Sequence, residues 1–266
     1  MRRTIGGLES QALAYSRLRG WKTLRSGDLA ERLELSPDQE RKLLSRMARA
    51  GLIARVWRGL YLVPPTVPLG GKWSPSEALA LTTLMEARGG RYQICGPNAF
   101  NRYGFDEQIP NRVYAYNDRL SGARTIGRVE LALIRVAADR LGGTEIVESP
   151  EAPSAIYSSR TRTLVDAVYD WSRFNGLPRA YGWIRSELAA GRVESKELVR
   201  LTLRYGNRST IRRIGVLLES ARVPQALLRK LEAGLPATTS PIPWIPTRPK
   251  RGSANSRWGV VLNGEV

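Results

Sequence analysis

Between positions 39 and 58 lie Gln39, Arg41, Lys42, Ser45, Arg46, Arg49, Arg55 and Arg58. Guanidinium forks and an ammonium group suit phosphate oxygens and base edges, and the amide and hydroxyl add directional hydrogen bonds. The chemistry this set suggests is recognition of a polyanion, not bond-making. A second basic set follows far downstream, where Arg204, Arg208 and Arg212 recur every fourth residue with Arg213 alongside. It forms one stripe if a helix continues through Gly206. Such a stripe either grips DNA or an acidic partner, or is solvated charge neutralised by Glu197 and Glu219.

Catalytic chemistry finds little to work with. The chain has no histidine and a single cysteine, Cys95. These counts exclude a Cys/His zinc site, an internal disulfide, a Ser-His-Asp triad and a Cys-His nucleophile. Glu194-Ser195-Lys196 is an E-x-K that could join an upstream aspartate around Mg²⁺. It also opens a helix after Gly191, where Glu194 serves as a charge on the helix dipole. Asn207-Arg208-Ser209 lacks the paired carboxylates of a nucleotidyltransferase. No catalytic residue, metal or cofactor is therefore expected, and a metal-dependent nuclease is the enzymatic alternative.

Charge points the same way. Of 266 residues, 42 are Lys or Arg and 24 Asp or Glu, a formal net charge of +18. Residues 1–70 hold 13 basic and 6 acidic side chains, 71–150 hold 10 and 9, and 151–238 hold 15 and 8, so two basic blocks flank a neutral middle. A polyanionic partner is implied: nucleic acid, with an acidic protein or anionic membrane as alternatives. No stretch approaches the roughly 20 apolar residues of a membrane span. No apolar signal core follows the basic start, and the lone cysteine suits a cytoplasmic location.

The elements that must position these residues can be read locally. Glu9 to Leu18 predicts a first helix and Gly27 to Leu35 a second, with Leu29, Ala30 and Leu33 on one side. Ser36 as N-cap, Pro37 behind it and Gln39 three residues after the cap start a third, which runs to Ala50 and stops at Gly51. Leu43, Leu44 and Met47 share one arc of that helix, with Asp38, Lys42, Ser45 and Arg49 opposite and Arg41 and Arg46 flanking. Leu52 to Val63 reads as a hairpin around Arg58-Gly59. Helix, helix, turn, helix, hairpin is the order of a winged helix-turn-helix. The third helix offers its cations to a groove, and the wing adds Arg55 and Arg58. A solvated amphipathic face is the alternative for that helix alone.

Three prolines and two glycines between Val63 and Gly71 mark a linker, placed at 64–73 between a DNA-binding domain at 1–63 and a larger domain at 74–266. In the latter, Ser74 to Arg88 predicts a helix, and Arg91 to Ile94, Arg112 to Tyr116, Thr125 to Val136 and Glu145 to Val147 predict strands. From residue 160 the periodicity is helical, so the expected fold class is α+β with strands first and helices second. The Pro-rich stretch Leu235 to Pro249 is expected to run extended over the surface. Arg257 to Leu262 can add a last strand, and Trp171, Trp183, Trp244 and Trp258 are expected in the core or at its rim.

Met47-Ala48-Arg49-Ala50-Gly51-Leu52-Ile53 and the wing through Pro64 resemble the third-helix end and wing of AbiE-type antitoxins, the DNA-binding partners of type IV toxin–antitoxin pairs. Arg162 to Ala167, Asn207 to Glu219 and Ser256 to Asn263 are similar to further segments of that family, in the same order. The resemblance implies a repressor that binds inverted repeats in its own promoter, and a C-terminal domain that counters a nucleotidyltransferase-like toxin. It offers no catalytic constellation. Inverted repeats imply two protomers on double-stranded DNA, and without a heptad seam a monomer in solution is as compatible as a preformed dimer. A single-gene regulator whose second domain senses a ligand fits the same residues.

Overall fold

The computed structural model describes residues 6–66, 72–150, 153–236 and 240–265. The first helix, α1, is Gly7–Leu18, followed by a short strand β1 (Thr23–Arg25). Helix α2 (Pro37–Ala50) begins as its sequence dictates: Ser36 Oγ accepts from Gln39 N, and Gln39 Oε1 accepts from Ser36 N at 2.8 Å. These two bonds satisfy donors that a helix start otherwise leaves orphaned. Gly51 closes α2 in the left-handed region at φ 74°, a conformation that costs glycine least. Strands β2 (Ala54–Trp57) and β3 (Leu60–Leu62) form the expected hairpin, and β1 pairs with the other edge of β3, giving the order β1-β3-β2.

Residues 27–35 depart from the expected second helix. They form successive turns, with Leu33 N donating to Leu29 O and Leu35 N to Ala30 O, and Glu34 sits at φ 50°. The initial N–H groups of Gly27 and Leu29 donate to the carboxylate of Glu40 instead, at 2.6 and 2.8 Å. Leu29 remains fully buried, in a core with Leu13, Leu24, Leu43, Leu44, Met47 and Ile53. Each such leucine contributes roughly 1.5–3 kcal/mol by leaving water. The helix–turn–helix packing is thus retained although its first arm is a turn run.

Next come α3 (Glu77–Glu86), β4 (Tyr92–Ile94), α4 (Pro97–Arg102), β5 (Val113–Asn117), β6 (Gly122–Ile126), β7 (Val129–Arg135), β8 (Thr144–Val147) and β9 (Ala155–Ser158). The cap of α3 is Ser76, two residues later than expected, while Ser74 Oγ accepts from Arg128 N at 2.9 Å. The expected long strand at Thr125–Val136 is instead split by a turn at Gly127, which lies at φ 65°. The helical part follows: α5 (Arg160–Tyr169), α6 (Trp171–Phe174), α7 (Arg179–Ala189), α8 (Ser195–Tyr205), α9 (Arg208–Ser220) and α10 (Gln225–Ala233), then β10 (Ile242–Pro243), β11 (Ser253–Asn255) and β12 (Val260–Leu262). The fold is α+β, with mixed strands ahead of the helices.

By packing, the chain divides into two units. The first holds residues 1–92, 111–137 and 147–155. In it β7 pairs parallel with β5 and antiparallel with β6, and β2 packs against α3 and β6. That packing groups part of the segment expected at 74–266 with the winged helix. Of the expected linker, residues 67–71 lie outside the described ones, while Trp73 N donates to Gly51 O at 2.9 Å.

The second unit holds residues 93–110, 138–146 and 156–266. It contains Arg162 to Ala167, Asn207 to Glu219 and Ser256 to Asn263, whose polar side chains tie it together. In α5, Arg162 Nε reaches both carboxylate oxygens of Asp166 at 2.9 Å, with both side chains buried. Asn207 Oδ1 caps α9 by accepting from Thr210 N. Glu219 accepts from Arg257 Nη1 at 2.9 Å and from Trp258 Nε1 at 3.1 Å, and Asn263 binds the backbone of Ile245 in both directions. The Pro-rich stretch does not simply skirt the surface: β10 pairs with β12, and Trp244 is fully buried with Ile245 beside it. Two large apolar side chains there outweigh the extended bias of the surrounding prolines.

Candidate nucleic-acid interface

Helix α2 turns Leu43, Leu44 and Met47 inward, each at most 1% exposed. The same spacing buries Glu40. Glu40 was not singled out from sequence, although it lies one turn before Leu43 and Leu44 on the apolar arc. A carboxylate in that position signals a backbone clamp, here on Gly27 and Leu29.

The outer arc is solvent-facing. Gln39, Arg41, Lys42, Arg46 and Arg49 are exposed and Ser45 is half-buried. Lys42 has no hydrogen-bond or ion-pair partner among the described residues. Arg49 Nε makes a long 3.4 Å contact to Ser45 O. Arg41 pairs with Asp38 at 3.0 Å, but both side chains are about 70% exposed, so the pair is weak and easily exchanged for phosphate. Arg46 is held at 2.6 Å by Glu9 of α1. Gln39 Oε1 belongs to the capping box, which leaves its amide N–H groups to donate.

On the hairpin, Arg55 and Arg58 are exposed, with Gly59 at φ 72° making the turn that presents Arg58. Beside them Trp57 carries two guanidinium groups on its ring, Arg124 at 4.1 Å and Arg88 at 4.6 Å. Burial and the Arg88 charge pull Arg124 below the ordinary guanidinium pKa. The neighbourhood is therefore strongly cationic. Arg88 and Arg124 escaped the sequence reading because their proximity to Trp57 is set by β2 packing against α3 and β6.

The second basic set does not form one continuous surface: Arg204 and Arg208 are exposed, but Arg212 and Arg213 are not. Helix α8 ends at Tyr205, Gly206 is extended at ψ 160°, and α9 starts afresh at Arg208, so the four-residue spacing spans two helices. Arg212 and Arg213 are buried. Arg212 Nη1 donates to Ser240 O at 3.0 Å, while Arg213 donates to Trp244 O and Pro243 O. Buried cations persist where such acceptors replace water, and these two fasten the C-terminal segment. Glu197 instead pairs with Arg200 and Glu219 with Arg257. Among the described residues no group of three or more Asp, Glu, His or Cys could hold a metal ion. No helix among them is long and apolar enough to cross a membrane.

A capped cationic helix packed with α1 and a run of turns, followed by a basic β-ribbon, is the arrangement of a winged helix. Residues 11–64 match the family model described as "Transcriptional regulator, AbiEi antitoxin". The N-terminal region is thus a domain of that regulator and antitoxin family. In fold, the chain is similar to the crystal structure of the RV2827C protein from Mycobacterium tuberculosis: TM-score 0.61 at 16% identity, covering 97% of this chain and 92% of that one. No curated protein matches the sequence.

Proposed function

We propose that the protein is a cytoplasmic, non-enzymatic DNA-binding antitoxin that represses its own operon. The observation that carries this reading is the outer arc of α2, where Lys42 and Arg49 face solvent beside the basic ribbon bearing Arg55 and Arg58. Lys42, Arg49, Arg55 and Arg58 supply phosphate contacts, with Ser45 and the Gln39 amide as the directional donors. Arg41 joins after exchanging Asp38 for phosphate, while Arg46 stays held by Glu9. Two protomers occupy an inverted repeat in the promoter, and the remainder of the chain counters a nucleotidyltransferase-like toxin. The antitoxin half rests on the family described for residues 11–64.

Quantitative footprinting on its own promoter tests the first half. The expected result is a preference of at least about 10³ over random duplex at physiological salt. Equal binding to both removes the repressor reading. Co-expression with the adjacent reading frame tests the second: restored growth is expected, and unrelieved toxicity removes the antitoxin role.

A further inference from the structure

Within the first unit, the last turn of α2, the start of β2, residues 72–73 and the β6–β7 turn enclose a groove of about 560 Å³. Arg49, Arg55, Lys72 and Arg128 line it, and no carboxylate does among the described residues. Ile53, Ala54 and Trp73 give it an apolar portion.

The cations come from four places in the chain, yet backbone contacts fix them together. Trp73 N donates to Gly51 O, which holds Lys72 against the end of α2. Gly127 turns at φ 65° with Ser74 and Pro75 so close that a Cβ would meet both at 2.8 Å. Arg128 then donates its N–H to Ser74 Oγ at 2.9 Å and its Nη2 to Lys72 O at 2.5 Å. Like charges gathered around one concavity repel one another, and an entering polyanion relieves that repulsion. The volume lies within the roughly 300–1,000 Å³ of small-molecule sites. A single backbone phosphate on a duplex would fill little of it.

We propose that this groove binds a free phosphorylated small molecule of nucleotide size, its phosphates among Arg49, Arg55, Lys72 and Arg128 and its less polar part against Ile53, Ala54 and Trp73. Because Arg49 and Arg55 also belong to the DNA surface, the ligand displaces operator DNA. That consequence rests on the DNA-binding reading above; the binding itself does not.

Calorimetric titration of the full chain with inorganic pyrophosphate, ATP and GTP at physiological salt tests it. Saturable one-to-one binding of at least one probe is expected, weakened at least about tenfold in Lys72→Gln/Arg128→Gln and unchanged in Lys42→Gln/Arg58→Gln. Arg55→Gln, an exposed position that leaves the Lys72–Arg128 contact intact, must weaken it too and guards against misfolding of the double variant. The bound probe is expected to lower promoter affinity. Absence of saturable binding overturns the proposal, as does binding indifferent to these variants. If Lys72→Gln/Arg128→Gln weakens only duplex binding, the groove seats the DNA backbone and the small-ligand site is refuted. Failure of the DNA reading shows separately, as wild-type protein without promoter preference.

Discussion

Arg46 Nε of α2 lies 2.6 Å from Glu9 Oε1 of α1. The bond ties the helix proposed to enter the groove to the helix behind it, and it withholds one cation from the DNA-facing set. The arginine side chain is half exposed and the glutamate mostly covered, so the arginine is the partner able to leave.

Glu9→Gln should therefore release Arg46 toward phosphate. The slope of log K against log salt for duplex binding is expected to steepen by up to about 0.9, the increment for one more neutralised phosphate. Stability should change by less than about 1 kcal/mol, as for partly exposed pairs. An unchanged slope in a salt titration means that Arg46 does not contact DNA.

Lys42→Gln and Arg49→Gln should each flatten that slope by about 0.9 while lowering affinity for specific and random duplex alike, the mark of phosphate contacts. Loss of preference at one base position would instead assign the residue to base readout.

Glu40→Ala leaves the buried N–H of Leu29 without an acceptor. Such an orphan costs about 1–3 kcal/mol, and urea unfolding should show a loss of that size. Glu40→Gln keeps one carbonyl oxygen and should lose less. Equal stability of Glu40→Ala and wild type would mean the 27–35 turns are held by their apolar packing alone.

Gly215→Ala sets two effects against each other. Alanine gains about 1 kcal/mol of helix propensity over glycine. In α9, however, the added Cβ would meet the buried Trp258 ring at 2.3 Å, and overpacking of this kind costs about 1–3 kcal/mol. The clash should win, giving a lower melting temperature and altered Trp fluorescence. A rise in melting temperature would mean the ring has room to shift.

Acid should loosen the C-terminal network around Arg257. Glu219 is desolvated, which raises its pKa, but hydrogen bonds from Asn255, Arg257 and Trp258 outweigh this and hold it below 4.5. Glu232 is lowered chiefly by its hydrogen bond from Arg257. A carboxylate depressed on folding contributes stability above its unfolded pKa and loses it as pH falls through the folded one. Denaturant midpoints should thus be level above about pH 5 and fall as pH drops below 4.5 toward the depressed values. Arg257→Gln should lower the midpoint at neutral pH and flatten the acid side. A variant retaining the full acid dependence would show that other carboxylates carry it.

Elements whose signals lie close together in the chain could be read without coordinates. The Ser36–Gln39 capping box, the Gly51 stop and the Arg58-Gly59 turn each act within a few residues, so α2 and the β2–β3 hairpin follow from local sterics and hydrogen bonding. The outward arc of Lys42 and Arg49 follows too, because 3.6-residue periodicity separates it from Leu43, Leu44 and Met47. Other features depend on partners remote in sequence. Strand β1 exists because Thr23–Arg25 pairs with β3, and residues 27–35 stay as turns with their donors on Glu40. The spacing of Arg204, Arg208 and Arg212 suggested one exposed stripe. Gly206 breaks the helix, and carbonyls of Ser240, Pro243 and Trp244 draw Arg212 and Arg213 inside. Periodicity tells which residues share a face of a helix; whether that face meets water or another part of the chain is settled when the folded backbone supplies, or withholds, acceptors for its charges.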